Sequence, residues 1–364
     1  MLVEKSTWKI ECPCKNNCLK KGKKINFSVG TFKSKKEDLG NFFYSEKGGI
    51  FENLYFKENE NYSGPFLFKS PLKVFIDITE VCNLNCRECY LANKKKKEQS
   101  IGKLKKLINA LSKEEVMGVQ LLGGEPTLYS KLPELCRYIK SKKMKVEIVS
   151  NGFNLQESLI NELKGNIDSF CVSIDGDEGT HNYLRRNENS YSNAKESVKK
   201  VLRAGFQTEI VMSINKMNYK EISKVKKILG GKGKLSIKLM IPFSGESKKL
   251  LLKKKDIENI KNTCKKEKIQ MNSFSVGFNE CGKSSFFGCP GGKIDAVIDV
   301  DGNVFKCNYH RSKRNSMGNV YKESFKKIWK RNNDYILKNE LTKCKCCDFR
   351  NRCGGFCDIK LGGR

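Results

Sequence analysis

Three closely spaced cysteines are the residues of this chain best suited to chemistry. Cys82, Cys86 and Cys89 lie in VCNLNCRECY, with three and then two residues between them. These spacings let a single loop aim three sulfur atoms at a common centre. Three thiolates would hold a four-iron cluster with one iron left open, and an open metal position distinguishes a reactive site from a structural one. The alternative is a zinc knuckle whose fourth ligand lies elsewhere in the chain.

The balance of cysteine and histidine narrows the type of metal site. The chain has 17 cysteines and two histidines. Its first residues, MLVEKSTWKIECPC, lack the layout of a signal peptide, and no apolar stretch is long enough to cross a bilayer, so we expect a cytoplasmic protein. In a reducing cytosol, cysteines bind metal more often than they form disulfides. Because histidine is scarce, the composition favours all-thiolate sites, either structural zinc or iron–sulfur clusters.

The other cysteines fall into three sets. Cys12, Cys14 and Cys18 lie near the amino terminus, where a small zinc site or free thiols are the expected readings. A scattered set, expected to behave as small buried apolar residues, consists of Cys136, Cys171 and Cys264. A dense carboxyl-terminal set, able to hold further metal, consists of Cys281, Cys289, Cys307, Cys344, Cys346, Cys347, Cys353 and Cys357.

Repeated βα units are predicted to position the three-cysteine loop. Short β-branched runs alternate with longer helical stretches, which is typical of a parallel sheet. Strands are expected at 73–78, 116–122, 145–150, 169–174, 208–214 and 235–240. Helices are expected from about 101 and at 132–142, 155–163, 194–204 and 219–229. Six units favour a partial (β/α)6 barrel over a closed eight-fold one. The cysteine loop would follow the first strand, where ligands gather in such sheets.

Four regions are expected along the chain. Residues 1–70 form an amino-terminal extension, either a peptide-recognition region or a cap. The partial barrel covers 71–245, a helical bridge covers 246–280, and a small cysteine-rich domain covers 281–364. The last region contains a predicted hairpin, because runs at 294–300 and 304–307 flank Asp301-Gly302-Asn303. Its low apolar content indicates that metal is needed to hold it together.

On these residues the sequence resembles the radical SAM enzymes. Their signature is the Cys82-x3-Cys86-x2-Cys89 spacing on the loop after the first strand of a partial barrel. The second strand ends in Gly123-Gly124-Glu125-Pro126, which matches a segment that binds the amino group of S-adenosylmethionine in relatives. The carboxylate of Glu125 is able to accept hydrogen bonds from an ammonium group. The alternative reading is an ordinary strand-to-helix turn.

The resemblance implies further cofactor contacts. Ser150 and Asn151 end the third strand and Ser173 ends the fourth, where relatives contact the ribose or carboxylate of the cofactor. Arg185 is the implied partner of that carboxylate. For each of these, a turn or a solvated surface residue is the alternative.

One position of the signature loop departs from the family. Relatives often carry an aromatic residue before the last cysteine, whereas this chain has Glu88. Tyr90, directly after Cys89, is then the residue expected to pack against the adenine.

The carboxyl-terminal cysteines resemble the SPASM extension of this family, which binds auxiliary four-iron clusters. The matching pattern runs from Cys289 through Gly302 to Cys307 and then through Cys344, Cys347, Cys353 and Cys357. By resemblance, one cluster takes Cys289, Cys307 and Cys357, with Cys281 as a possible fourth ligand. A second takes Cys344, Cys347 and Cys353. A zinc-ribbon-like staple is the alternative for the same cysteines.

The second of these ligand sets is incomplete. Relatives supply a further cysteine downstream, whereas no cysteine follows Cys357 here. Cys346, an amino-terminal cysteine or a carboxylate such as Asp348 or Asp358 would have to complete the set, or an iron stays open to a substrate group.

The charge of the chain bears on its partners. There are 71 Lys and Arg against 40 Asp and Glu, which gives a formal charge of +31. Lysines are spread over nearly every predicted helix without an RNA-binding signature, so nucleic acid is not the expected partner. The field would instead attract acidic partners, including acidic peptides.

Together, the resemblance implies an enzyme that cleaves S-adenosylmethionine reductively and abstracts hydrogen from a peptide or protein through a 5′-deoxyadenosyl radical. The expected activity is maturation of a ribosomally made peptide by a thioether or carbon–carbon crosslink, with flavodoxin or ferredoxin as electron donor. A Cys or Ser oxidase of the sulfatase-maturating type is an alternative, disfavoured because relatives of that kind carry an acid where Asn308 follows Cys307. A non-enzymatic iron–sulfur electron carrier or nucleic-acid-binding module is the other alternative.

Overall fold

The computed structural model contains two compact units, Met1–Gly64 and Pro65–Arg364. The described residues are 32–37, 40–45, 54–58, 68–91, 96–240, 248–269, 291–309 and 311–336. The amino-terminal cysteines and most of the carboxyl-terminal set lie outside these ranges.

The first unit contains a three-stranded antiparallel sheet. Its strands are β1 (Phe32–Glu37), β2 (Gly40–Ser45) and β3 (Leu54–Glu58), and β2 lies in the middle. The register places Phe42 opposite Phe56 and Phe43 opposite Tyr55. The two aromatic runs of the sequence therefore lie on neighbouring strands of one sheet.

The second unit is built on six parallel strands that pair in chain order. They are β4 (Lys73–Thr79), β5 (Gly118–Gly123), β6 (Lys145–Ser150), β7 (Ser169–Ser173), β8 (Gln207–Ile214) and β9 (Lys234–Leu239). The helices are α1 (Ile101–Lys113), α2 (Leu132–Ser141), α3 (Glu157–Leu163), α4 (Glu178–Arg185), α5 (Ser190–Arg203), α6 (Ile222–Lys227) and α7 (Lys254–Lys266). The predicted α/β class, with six βα units, is confirmed.

Apolar faces on the helices hold this sheet in place. In α1 the buried residues Leu104, Leu107, Ile108 and Leu111 recur at intervals of three and four, which places them on one face. Ser100 caps the helix, since its side chain accepts a hydrogen bond from the Lys103 N–H. The strands are buried along most of their length, as expected of a parallel sheet covered by helices.

The cysteine-rich region extends the same sheet. A hairpin of β10 (Asp295–Ile298) and β11 (Asn303–Phe305) turns through Gly302, whose φ is 82°, and is followed by β12 (Gly318–Asn319). Strand β10 pairs in parallel with β4, so the strand order is β12-β11-β10-β4-β5-β6-β7-β8-β9. The predicted hairpin is confirmed with shorter strands, but its pairing with the first barrel strand was not predicted.

The last described helix closes this region. It is α8 (Phe325–Tyr335), and its Trp329 is 1% exposed. The indole N–H of Trp329 donates to the Phe68 carbonyl at 2.8 Å, which ties the helix to the chain just before β4. Within the described ranges, no helix has the length and apolar character needed to cross a bilayer.

Candidate active site

A cavity of about 220 Å³ lies at the carboxyl ends of the parallel strands. Its walls include most of the site residues expected from the sequence: Cys82, Cys86, Cys89, Tyr90, Gly123, Gly124, Ser150, Asn151, Ser173 and Arg185. Polar residues that the sequence did not assign also line it: Glu88, Gln120, Asp175, Ser213, Lys238, Asn308 and Tyr309. The fold therefore brings one loop, five strand ends and a piece of the carboxyl-terminal region to one place.

The three cysteines are half-buried thiols on a loop held by hydrogen bonds. The Leu84 N–H donates to Cys82 Sγ at 3.4 Å, and the Arg87 N–H donates to the Leu184 carbonyl at 2.9 Å. Donors from outside the loop also reach its sulfurs, since Asn151 Nδ2 and Arg185 Nη1 each lie 3.8 Å from a sulfur, of Cys82 and Cys86 respectively. These donors could also hydrogen-bond the sulfur atoms of a bound cluster. Among the described side chains, no three His, Cys, Asp or Glu converge closely enough for a single metal ion.

The glycines of the GGEP segment permit a close approach to the cysteine loop. A Cβ atom on Gly123 would lie 2.1 Å from the Thr79 carbonyl oxygen, and one on Gly124 would lie 2.2 Å from that of Val81. The Gly124 N–H donates to Thr79 at 2.7 Å, and the Glu125 N–H donates to Val81 at 2.8 Å. The end of β5 therefore fixes the residues that lead into Cys82, and any side chain at Gly123 or Gly124 would displace them.

Glu125 and Pro126 do not line the cavity. Glu125 is completely buried, and its Oε1 accepts bonds from the Thr127 N–H and hydroxyl at 3.1 and 2.7 Å. Its Oε2 accepts the Asn151 N–H at 2.7 Å. Burial raises the pKa of this carboxyl, against the opposing effect of these hydrogen bonds. In this structure the Glu125 carboxylate joins the segments after β5 and β6, and its contact with an ammonium group stays a prediction.

Asp175 and Arg185 form a buried ion pair in the cavity wall. Arg185 donates from Nε and Nη2 to Asp175 Oδ2 at 2.7 and 2.5 Å, and the Ser213 N–H donates to Oδ1 at 2.9 Å. Burial opposes the charge of Arg185, but Asp175 and the Cys86 thiol outweigh it and raise the pKa of the guanidinium. The predicted cofactor partner Arg185 thus already has a carboxylate within the protein. Asp175 lies two residues after the predicted site residue Ser173, but was not itself predicted as a site residue.

His181 holds the backbone of Asp175 through a hydrogen bond. The Asp175 N–H donates to its Nδ1 at 3.0 Å, so the proton of the neutral ring is on Nε2, which contacts the Ser190 hydroxyl at 3.0 Å. Burial and nearby Arg185 lower the pKa of this histidine to about 4. The imidazole therefore stays neutral near pH 7.

Glu88, which replaces the usual aromatic residue of the signature, faces the cavity. Its Oε1 accepts from Asn215 Nδ2 at 3.3 Å, and its buried Oε2 has no hydrogen-bond partner among the described residues. Burial, with nearby Asp175, raises the pKa of this carboxyl to about 8. The replacement of an aromatic residue by Glu88 therefore adds a carboxyl group to the cavity wall, which the sequence did not predict.

Tyr90 meets an arginine from the carboxyl-terminal region. Its hydroxyl lies 3.3 Å from both Asp77 Oδ1 and the Gly123 carbonyl. The Arg311 guanidinium lies 4.4 Å from the ring centroid and pairs with the Asp77 carboxylate. One face of the ring expected to pack against adenine is therefore covered by Arg311.

The remaining cysteines divide between buried and undescribed positions. Cys136, Cys171 and Cys264 are buried, as predicted, and burial raises the pKa of Cys264 to about 11. Cys307 is a half-buried thiol just after β11. The other predicted ligands lie outside the described residues: Cys281, Cys289, Cys344, Cys347, Cys353 and Cys357.

Comparisons with known proteins match two family models to this chain. Residues 76–229 match the radical SAM superfamily, and residues 289–353 match SPASM, described as an iron–sulfur cluster-binding domain. The first range contains the cysteine loop and strands β5 to β8, and the second contains the hairpin.

Among curated proteins, the chain is 29% identical over 159 residues to the sporulation killing factor maturation protein SkfB of Bacillus subtilis. That alignment covers 43% of this chain and only 38% of SkfB. The AdoMet-dependent heme synthase of Methanosarcina barkeri is 24% identical over 79% of this chain and 91% of its own length.

Among solved structures, Streptococcus suis SuiB bound to S-adenosylmethionine superposes with a TM-score of 0.67 at 18% identity. The match covers 80% of this chain and 74% of SuiB. SuiB bound to its precursor peptide SuiA superposes with a TM-score of 0.65 at 17% identity over 80% of this chain and 73% of SuiB. At these identities the likeness is one of fold.

Proposed function

Because this chain belongs to the radical SAM family and carries a SPASM domain, we propose that it matures a peptide or protein by radical chemistry. Its cofactors are [4Fe–4S] clusters and S-adenosylmethionine. When bound, these supply reductive cleavage of S-adenosylmethionine to a 5′-deoxyadenosyl radical, which abstracts hydrogen from the substrate. The observation that carries the proposal is the convergence of the three signature thiols and the strand-end polar residues on one cavity.

The residues of the cavity fit these cofactors. Cys82, Cys86 and Cys89 would hold the radical cluster, since all three line one cavity and the sulfurs of Cys82 and Cys86 receive N–H donors from neighbouring elements. The backbone of Gly123 and Gly124, the side chains at the ends of β6 and β7, and Arg185 would bind S-adenosylmethionine. Lys238 is a second cation in the wall, available to a carboxylate.

A peptide is the proposed substrate class. SkfB is named as a maturation protein and SuiB has been crystallised with a precursor peptide, which supports a similar substrate here. The formal charge of +31 would accelerate encounter with an acidic peptide and make its binding sensitive to salt. The crosslink proposed is a thioether or a carbon–carbon bond.

The auxiliary clusters and the electron donor complete the proposal. Cys307, which immediately precedes the cavity residues Asn308 and Tyr309, would bind one auxiliary cluster with Cys289, Cys357 and Cys281. Cys344, Cys347 and Cys353 would bind another. A small acidic redox protein such as flavodoxin or ferredoxin is the proposed source of electrons.

The test is anaerobic turnover with a candidate precursor peptide. The reconstituted protein, reduced with dithionite and given S-adenosylmethionine, should release 5′-deoxyadenosine, and Cys86→Ala should not. A peptide encoded beside this chain should lose two hydrogen atoms per crosslink, as measured by mass spectrometry. If wild-type protein with full iron content released no 5′-deoxyadenosine, the proposed chemistry would be wrong.

Two other substrates predict different outcomes. A sulfatase-maturating activity would convert Cys or Ser without a crosslink, but the acid of such relatives is replaced by Asn308, whose amide cannot accept a proton at neutral pH. The heme synthase match, which covers 91% of that enzyme, favours a tetrapyrrole as a second candidate. Product formation from an iron coproporphyrin, with none from peptides, would establish it.

A further inference from the structure

Arg311, a residue that neither the signature nor the cysteine pattern includes, connects the carboxyl-terminal region to the residues behind the cavity wall. Arg311 is half-buried as a residue, but its side chain is only 11% exposed, and that of Asp77 is 1% exposed. Arg311 Nη1 donates to Asp77 Oδ2, and Nη2 lies 3.3 Å from Asp77 Oδ1, so the pair is bidentate. A buried ion pair with both carboxylate oxygens engaged has one defined geometry.

The same guanidinium contacts the cysteine loop. It lies 4.4 Å from the centroid of the Tyr90 ring, and Tyr90 is bonded covalently to Cys89. The Tyr90 hydroxyl contacts Asp77 Oδ1 at 3.3 Å. Each of the three side chains, Arg311, Asp77 and Tyr90, therefore contacts the other two.

Two residues close to Arg311 in the sequence line the cavity. Arg311 Nη2 donates to Asn308 Oδ1, and both Asn308 and Tyr309 line the cavity directly after Cys307. Cys307 is a predicted ligand of an auxiliary cluster, and Arg311, four residues later, contacts Tyr90. Tyr90 directly follows Cys89, a predicted ligand of the radical cluster. Asp77 lies on β4, the strand that leads into the cysteine loop and pairs with β10.

We propose that Arg311 is a positioning residue for the radical site: by pairing with Asp77 and stacking on Tyr90, it holds Cys89 and the cavity wall in register. The inference rests on the proposed function for the identity of the cluster. Arginine is required, because a lysine ammonium cannot engage both oxygens of Asp77 and stack its plane on the ring at the same time. The carboxyl-terminal region therefore completes the radical site as well as binding its own metal.

The test compares Arg311→Met and Arg311→Lys with Arg331→Lys as the control. Arg331 lies in the same region and donates to Glu323 and to the Met317 carbonyl, but its side chain is 50% exposed. Each protein is reconstituted anaerobically, and three quantities are measured: iron per chain, the electron paramagnetic resonance spectrum of the reduced clusters with and without S-adenosylmethionine, and the dissociation constant of S-adenosylmethionine.

We expect Arg311→Met to keep its auxiliary iron, to alter the spectral change caused by S-adenosylmethionine, and to weaken its binding at least about tenfold. Arg311→Lys should retain part of the spectral change and part of the affinity for S-adenosylmethionine. Arg331→Lys should match the wild-type protein in both measurements. Asp77→Asn combined with Arg311→Met should add little to the single change, because both disrupt one contact set. Wild-type spectra and affinity in a folded Arg311→Met protein would overturn the proposal.

A second variant keeps the proposal testable if Arg311→Met does not fold. Tyr90→Leu removes the stacked ring and leaves the Arg311–Asp77 pair, so a smaller change of the same kind is expected. An unchanged spectrum in Tyr90→Leu would also overturn the proposal. Failure of the proposed function is distinct, since wild-type protein would then show no spectral response to S-adenosylmethionine.

Discussion

Arg185 donates two hydrogen bonds to the buried carboxylate of Asp175 while its remaining terminal nitrogen lies 3.8 Å from the sulfur of Cys86. One guanidinium thereby connects the segment after β7 to the cysteine loop. Helix α4 supplies Arg185 in its last turn and His181 one turn earlier, so one short helix positions two of the partners of Asp175.

Loss of the Asp175 charge should destabilise the protein. Asp175→Asn leaves the Arg185 guanidinium buried without its counter-charge, which should lower the free energy of unfolding by about 3 kcal/mol. Denaturant unfolding measures this change. Glu196→Gln, which breaks an exposed pair with Arg203, is the control and should shift stability by less than about 0.5 kcal/mol. Equal losses of stability in the two variants would show that the buried Asp175–Arg185 pair contributes no more than an exposed ion pair.

A methyl group at Gly124 should disturb the radical site. Gly124→Ala places a Cβ 2.2 Å from the Val81 carbonyl oxygen, so the residues before Cys82 must move. We expect lower stability and loss of the cavity iron, measured by unfolding and by iron per chain. Gly102→Ala is the matched control, because nothing lies within 4 Å of its Cβ and α1 should gain about 0.5–1 kcal/mol. Retention of all iron in Gly124→Ala would contradict the role assigned to this glycine.

Stability should fall in mild acid through His181. Its pKa is about 4 in the folded protein and about 6.5 when unfolded, so the unfolded chain binds more protons between these values. The contribution is present above pH 6.5 and is lost as pH falls towards 4, by about 3 kcal/mol at most. His181→Asn keeps an acceptor for the Asp175 N–H, and its unfolding free energy should vary less over this range. A wild-type pH dependence in His181→Asn would assign the acid sensitivity to other groups.

Iron content should follow the grouping of the cysteines. Three four-iron clusters correspond to about twelve irons per reconstituted chain, and Cys86→Ala should retain about eight. Cys136→Ala is the control, because that thiol is buried in α2 and should not affect iron. Wild-type protein near eight irons would mean that Cys344, Cys347 and Cys353 hold no cluster, and a value near four would refute both auxiliary clusters.

Local patterns predicted the central sheet well. Strand β6 was predicted at 145–150 and forms there, because a short β-branched run bounded by turn residues has few alternatives. Helix α4 was missed. It has eight residues, of which only His181 and Leu184 are buried, so it lacks the apolar periodicity that marks longer helices.

Contacts between segments that are distant along the chain could not be predicted from a single sequence. Glu125 stands in a recognisable motif, but the sequence does not show that Asn151 and Thr127 occupy its oxygens. Lys238 looks like any strand lysine until the strand ends surround a cavity. The stacking of Arg311 on Tyr90 depends on the pairing of β10 with β4, which no local pattern reports.

The pairing of β10 with β4 also sets an order for biosynthesis. Strands β4 to β9 leave the ribosome in sequence and can pair as they emerge, whereas β10 is made only after the whole barrel. Until then β4 has an unpaired edge, the kind of edge that recruits strands from other chains. We therefore expect ribosome-bound chains that end before residue 291 to be the species most prone to aggregation and most in need of a chaperone. Iron delivered to the cysteine loop before β10 docks would meet a site that still lacks one wall.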